Sequence, residues 1–558
     1  MQGVLRFIVI VSLFLVVMLL PASAQDTSNR VLTAAIDQEP TSLNPYFTVQ
    51  QAAFNFIDLY LLEPWLLDEN ITQVPMLVEE LPINVEGGIS EVDDKTVVRF
   101  TIKDSAVWSD GTPVTAGDFI FPFEASQDGI SAFVGNRFAN IETVEQGDSE
   151  KEVVVTFAAI NPDWFAAGFP PLPAHILREQ YEAALEAGNG LDTLEWNLMP
   201  TVANGPFMFA ESEPGSFMRF VRNEGFEDQA WFDEVVVRFF PDPTVMRTAL
   251  EAGEIDVVHN FQPADAIDLI DNDDIVIDSK FDSGREAWWF NLGRQPGSPV
   301  LDLNVRRAIA MGLDRQLIVE ELQGGLTEVP NSFWDQTPFY NEALEVLEFD
   351  PEAAAQLLED SGWIDEDGDG VREAVSVDVE GIEAGTRLSI SVGTTTAPVR
   401  MDTQAVAQDM LAEIGIEVTL NNYEGGRWAT PFTEGGGFRG GFDDVLQFFG
   451  FTAFESIQPV AWFACDQIPS EDNPNGLNTV HFCWEELDML WEKLGTETDQ
   501  DARQALADDI QQFMADRVFW IGLWNRPQLT IYRAELENVR PGAQHPYVQI
   551  TEWSRAAA

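Results

Sequence analysis

The chain has 558 residues, with 30 Lys and Arg against 94 Asp and Glu, for a formal net charge of −64. Apolar residues make up 45% and aromatics 11%, enough for large buried cores, so a globally disordered chain is excluded despite the charge. Such acidity repels phosphate backbones and anionic lipid, and two Cys cannot build a disulfide scaffold or a multi-cysteine zinc centre, so nucleic-acid, peripheral-membrane and zinc-scaffold classes fall away.

At the start, Arg6 precedes an apolar run from Phe7 to Leu20, broken only by Ser12 and followed by Pro21-Ala22-Ser23-Ala24. One cation, a short apolar core and an Ala-x-Ala site read as a secretory signal peptide cleaved after Ala24. A membrane span wants roughly 20 apolar residues, so an uncleaved anchor is the weaker reading. No Cys follows that would carry a lipid. The mature protein is expected to be soluble and periplasmic or extracellular. That compartment permits a disulfide, and Cys465 and Cys483 are its sole candidates.

Val31 to Ile36 reads as a strand, with a turn at Glu39-Pro40-Thr41. Strands follow at Thr96 to Ile102 and Val153 to Phe157, and Asp110-Gly111-Thr112-Pro113 is a turn. Pro206 to Arg222 has the pattern of a hairpin turning at Glu213-Pro214-Gly215-Ser216. A strand at Val235 to Phe240 and a helix from Thr244 to Glu251 come next. Further on, Asn304 is placed to cap a helix carrying Val305, Ala308 and Ile309 inward, and Asp350-Pro351 to open another that stops at Gly362. Met401 to Ile414 is an amphipathic helix running through Gly415 into a strand at Ile416 to Leu420, and Asp501 to Met514 is a further helix. Helix, short turn and strand recurring in this way predict an α/β architecture.

Motifs for catalysis do not emerge. The chain lacks a Gly-x-x-x-x-Gly-Lys loop, a His-Glu-x-x-His helix and a Gly-x-Ser-x-Gly elbow, and His175, His259, His481 and His545 are scattered. Carboxylate pairs suited to glycoside hydrolysis are uninformative among so many acids. Asp365-Glu366-Asp367-Gly368-Asp369-Gly370 follows the first half of a calcium loop, but the twelfth position is Ser376 and not Glu, so a solvated turn is expected. Neither a metal nor a cofactor is expected. The 39 Phe and 16 Trp include clusters such as Trp288-Trp289-Phe290 and Phe448-Phe449-Gly450-Phe451. Most belong to cores, and a minority lining a cleft would suit peptides or sugars.

Several blocks then occur in a familiar order. They are Glu39-Pro40-Thr41-Ser42-Leu43-Asn44-Pro45, Trp108-Ser109-Asp110-Gly111-Thr112-Pro113 through Phe119, Leu172-Pro173-Ala174-His175, Asn204-Gly205-Pro206-Phe207 and Glu251-Ala252-Gly253-Glu254-Ile255-Asp256. Phe290-Asn291, Val305-Arg306-Arg307-Ala308-Ile309 and Ala412-Glu413-Ile414-Gly415-Ile416 follow. In this order, from about Val31 to Asn525, the chain resembles the extracellular solute-binding proteins of family 5, the peptide/nickel/oligopeptide-binding subunits of ABC importers.

The resemblance implies a type II periplasmic-binding-protein-like fold, two lobes with a hinge plus an inserted domain. By family analogy the first lobe takes 25–62, 200–289 and 525–558, the inserted domain 63–199 and the second lobe 290–524. The implied function is capture of a peptide-like solute and its delivery to an ABC permease, or to a sensor, by a monomer that is not an enzyme. An oligosaccharide or a chelated metal as ligand, and a secreted carboxylate-based glycoside hydrolase, are the alternatives. The expected ligand residues are Asn44, Trp288, Asn291, Thr396, Trp428, Phe451, Thr452, Phe454 and Glu455. In peptide-binding members a Gly-Trp-x-x-Asp-like segment supplies an Asp to the peptide's amino terminus. Here the matching stretch is Gly450 to Glu455 with Phe454 at the Asp position, so stacking on Phe451, Phe454 and Trp428 is expected to dominate, with Asn291 and Thr452 giving polar orientation.

Overall fold

The computed structural model describes residues 30–556, apart from 136, 294 and 452–461. The expected α/β architecture is present, organised by one ten-stranded sheet. Its strands, numbered in chain order, are β1 Val31–Ile36, β2 Phe207–Glu213, β3 Phe217–Arg222, β4 Glu234–Phe239, β5 Val257–Phe261, β6 Ile275–Phe290, β7 Ser389–Thr395, β8 Glu417–Tyr423, β9 Val445–Phe451 and β10 Trp520–Arg533. Across the sheet they run β8-β7-β9-β6-β10-β5-β1-β4-β3-β2. In the first lobe β1 is parallel to β4 and β5, and in the second β7 is parallel to β8 and β9.

The long antiparallel strands β6 and β10 belong to both lobes. Their register breaks between Phe281, which faces Pro527, and Arg285, which faces Asn525. Ser283, inside the break, has φ +71°, a conformation uncommon for a residue with a Cβ. Arg285 is fully buried beside it, donating from Nη1 to Ser283 O at 2.8 Å and from Nη2 to Asp335 O. Two strands carry the chain past this irregularity from one lobe into the other.

One continuous apolar core joins the first lobe's sheet to the inserted domain, from Leu32 and Tyr60 through Trp108 and Phe119 to Trp553. The inserted domain holds a four-stranded antiparallel sheet of Ile89–Val92, Lys95–Thr101, Ile141–Gln146 and Glu152–Phe157. The second lobe is covered on both faces. Trp288 and Trp289, neighbours on β6, point to opposite sides and enter separate cores.

The ordered sequence blocks are mostly devices for folding. Trp108 is fully buried and donates from Nε1 to Asp118 Oδ2 at 3.2 Å. Asp118 also closes the capping box with Thr115 at the head of the helix Ala116–Ser126 and accepts from Ala174 N at 2.9 Å. At Gly205 any Cβ would lie 2.6 Å from Leu59 O, while Asn204 exchanges two hydrogen bonds with the backbone of Leu62. Arg306 donates to the carbonyls of Val300, Arg517 and Val518, so it caps the C-terminal end of the helix Gln500–Arg517.

Small boundary errors have local causes. The helix Leu303–Gly312 is capped by Asp302, whose Oδ1 accepts from Asn304 N at 2.8 Å, and not by Asn304. Asp242 caps Pro243–Glu251 in the same way.

His259 on β5 is sealed between Tyr547 OH, 2.9 Å from Nε2, and Thr530 Oγ1, 3.4 Å from Nδ1. Burial pushes its pKa down to about 3. The unfolded chain takes up this proton below about pH 6.5, whereas the folded chain resists until far lower, so stability is lost as pH falls through that window. Between pH 7 and 5 the wild type is expected to lose about 2 kcal/mol more than His259→Gln in urea titrations. Equal pH slopes for both proteins would refute a neutral buried imidazole.

Candidate functional site

Register alone locates the cleft. Phe261, ending β5, and Ser279 of β6 both pair with Leu529 of β10, while Phe451, ending β9, pairs with Gly284. The carboxyl ends of both parallel strand sets therefore arrive at the hinge from opposite sides. Ligands of open α/β sheets bind at such ends, where loops and unpaired backbone groups converge. The first lobe presents the loops after β1, β4 and β5, and the second presents Thr396 after β7, Tyr423 ending β8, and the end of β9.

The hinge side of this cleft is rich in guanidinium groups and rings. Arg400, in the first turn of the helix Pro398–Glu413, meets Glu286 of β6 in a two-point pair, Nε to Oε1 at 2.6 Å and Nη2 to Oε2 at 3.0 Å. Their side chains are only 13% and 4% exposed. The half-buried ring of Phe449 is approached by both Arg400 Cζ, at 5.7 Å from its centroid, and Arg526 Cζ, at 4.6 Å. Asp335 accepts from Asn525 Nδ2 at 3.1 Å, and burial is the main cause raising its pKa. A cavity of about 270 Å³ opens here, with Lys280, Phe281, Glu328, Gln336 and Asn525 among its walls.

Three of the residues expected to bind ligand are committed elsewhere. Asn44 is fully buried, donating from Nδ2 to Asn197 Oδ1 at 2.7 Å and accepting from Tyr46 N at 3.1 Å, so it ties the first lobe to the inserted domain. Trp288 has no exposed surface and donates from Nε1 to Gln447 Oε1 at 3.1 Å inside the second lobe. Asn291, equally sealed, donates from Nδ2 to the carbonyls of Gly441 and Asp443. A polar group so satisfied has nothing left to offer a ligand.

Thr396 is exposed at the end of β7, its N–H donating to Tyr423 O at 3.1 Å. Trp428 lies one turn beyond β8, half-buried against Tyr423 and Phe438, each 5.8 Å away by ring centroid. Phe451 ends β9. Thr452, Phe454 and Glu455 lie outside the described residues. Arg400, Phe449 and Arg526 escaped the sequence reading. Their one signal was the Phe448-Phe449 cluster, which does not distinguish a cleft ring from a core ring.

Two further contacts join the second lobe to the inserted domain. Arg503, on the helix Gln500–Arg517 of the second lobe, reaches Asp163 of the inserted domain at 2.8 Å, with side-chain exposures of 3% and 17%. Thr498 Oγ1 donates to Glu91 Oε1 at 3.0 Å across the same junction. Cys465 and Cys483, 18 positions apart, are joined by a disulfide.

Asp365, Asp367 and Asp369 bring carboxylate oxygens within 4.8 Å of one another. Yet Asp365 already accepts from Gly368 N at 2.7 Å and Gly370 N at 3.1 Å. Arg387 pairs with Asp369 at 2.8 Å and approaches Glu417 at 3.4 Å, supplying the positive charge. Millimolar calcium is therefore expected to leave the melting temperature unchanged. A rise abolished by Asp367→Ala would show a cation site instead.

The family described as bacterial extracellular solute-binding proteins, family 5 Middle, matches residues 63–439. The oligopeptide-binding protein AppA of Bacillus subtilis (strain 168) is 25% identical over 496 residues, covering 86% of this chain and 83% of that protein. The structure of AppA in complex with a nonapeptide superposes with a TM-score of 0.63 at 21% identity, over 94% of this chain and 99% of that one. NikZ from Campylobacter jejuni in complex with Ni(L-His) superposes with a TM-score of 0.67 at 20% identity, over 94% and 100%. Among the described residues no helix is long and apolar enough to cross a membrane.

Proposed function

Because the chain belongs to the bacterial extracellular solute-binding proteins of family 5, we propose that it captures a peptide-like solute in the cleft at the hinge and hands it, chemically unaltered, to an ABC permease. The observation that carries this reading is the convergence of both parallel strand sets on the register break of β6 and β10. The relative AppA, an oligopeptide-binding protein matched along most of both chains, supports a peptide over other solutes. Arg400, Phe449 and Arg526 at the hinge and Thr396 and Trp428 at the rim supply stacking and polar contact. The first lobe is taken as 25–62, 200–289 and 525–558, the inserted domain as 63–199 and the second lobe as 290–524, with the stretch of β6 beyond its register break, from Arg285 on, packing into the second lobe. The run Phe7 to Leu20 directs export, with cleavage after Ala24.

The test is mass spectrometry of ligand co-purified from the native host, followed by calorimetry and small-angle scattering with that compound. A peptide recovered intact after incubation, with compaction on binding, is expected. Recovery of an oligosaccharide or a metal chelate overturns the peptide assignment. A cleaved ligand overturns the claim of delivery without chemistry.

A further inference from the structure

Beside the hinge lies a second and larger cavity of about 530 Å³, walled by the first lobe and the inserted domain. Its volume is within the range of roughly 300–1,000 Å³ usual for small-molecule sites. One wall is the short helix Gln51–Phe54. Asn55, the next residue, donates from Nδ2 to Asn260 Oδ1 at 3.0 Å, at the cleft end of β5. Another wall is Leu67, which packs with Phe281 at the register break of β6. The walls of the cavity thus lie one contact away from the cleft end of β5 and from the register break of β6.

Its chemistry is distinctive. The ionisable groups at its walls already have partners: Arg137 Nη1 lies 3.3 Å from Glu63 Oε1, and the His545 ring, at Nδ1, lies 2.7 Å from Asp58 Oδ1. What else it offers is uncharged. The amides of Gln51, Asn140 and Gln544 present donors and acceptors together, and the partly exposed rings of Phe54 and Phe165 add apolar surface. A charged ligand group entering here would compete with the Arg137–Glu63 pair, whereas backbone and side-chain amides meet complementary groups at once. Burial also raises the pKa of the Glu63 carboxyl, so added negative charge is disfavoured. Asn161, on the rim, hydrogen-bonds Asp163 N at 3.0 Å, and Asp163 holds Arg503 of the second lobe. Closure of that lobe therefore touches the edge of the cavity.

We propose that this cavity is a second ligand subsite, contributed by the inserted domain, that takes an uncharged polar stretch of a peptide extending beyond the interlobe cleft. The inference rests on the peptide reading above. It assigns the inserted domain a part in selecting ligand length and charge.

The test compares a tripeptide with two nonapeptides that prolong it, one with Gly, Ser, Asn and Gln, the other with Asp and Lys. Titration calorimetry is run on wild type, Ala166→Trp and Gln51→Trp, two exposed wall positions where an indole fills the cavity. In wild type the neutral nonapeptide is expected to bind at least tenfold tighter than the charged one. Both variants should weaken the neutral nonapeptide at least tenfold while changing tripeptide binding less than twofold. Unaltered nonapeptide binding in both variants, at unchanged melting temperature, overturns the subsite. Equal binding of the two nonapeptides by wild type overturns its neutral character. If wild type binds no peptide, the peptide reading fails, and this inference falls with it.

Discussion

Glu286→Ala is expected to destabilise the second lobe by roughly 3–5 kcal/mol, the usual cost of orphaning one member of a buried ion pair. The carboxylate is 4% exposed and meets Arg400 through two oxygens, so the guanidinium that remains has lost both of its charged contacts. Thr395 Oγ1 at 3.1 Å and the face of Phe449 at 5.7 Å are what Arg400 keeps, and neither carries charge. The double variant Glu286→Leu with Arg400→Met should recover most of the loss, because an apolar pair of similar size removes the uncompensated charge. Urea unfolding followed by the fluorescence of the second lobe's many Trp residues measures both. A loss below about 1 kcal/mol for the single variant would mean that the pair behaves as a hydrated surface bridge.

Arg503→Ala acts on closure and not on the core of one lobe. Arg503 is almost wholly buried, and its partner Asp163 belongs to the inserted domain, which shares a continuous core with the first lobe. The two side chains therefore sit on opposite sides of the hinge that the proposed closure about β6 and β10 would use. A charge-assisted hydrogen bond between such partners contributes roughly 1.5–3 kcal/mol. Opening parts them, so that contribution belongs to the closed state, and its loss should weaken solute binding about 10–100-fold by lowering the closed population. Scattering should show a larger radius for the variant at subsaturating ligand. Arg503→Lys keeps the charge without the planar fork and is expected to fall between the two. Equal affinity in wild type and Arg503→Ala would show that the pair plays no part in closure.

Most local elements were legible because their causes are local. β1 follows from the Val31 to Ile36 pattern, the β2–β3 hairpin from Glu213-Pro214-Gly215-Ser216, and the helix Pro351–Asp360 from Asp350, whose Oδ1 caps Ala353 N at 2.9 Å. The familiar blocks carried the family for a related reason. Trp108, Asp118, Asn204, Gly205 and Arg306 each satisfy a packing or hydrogen-bond demand of this fold, so their order along the chain identifies the fold while leaving the ligand open.

The site was less legible, and Trp288 shows why. A Trp-Trp-Phe run next to a predicted lobe boundary suggested a cleft, but β6 is central in its sheet and covered on both faces, so both indoles are core. Asn44 and Asn291 failed for the complementary reason: an Asn near a motif reads as a free polar group until its partners, Asn197 and Asp443, are seen far along the chain. The sequence by itself determined the fold class, the family and the capped local elements, because capping, periodicity and turn chemistry act over a few neighbouring residues. Only the tertiary structure decided which rings and guanidinium groups face the cleft. That choice depends on β6 and β10 pairing across more than two hundred positions and breaking register at Phe281 to Arg285, where no local propensity records the partner strand.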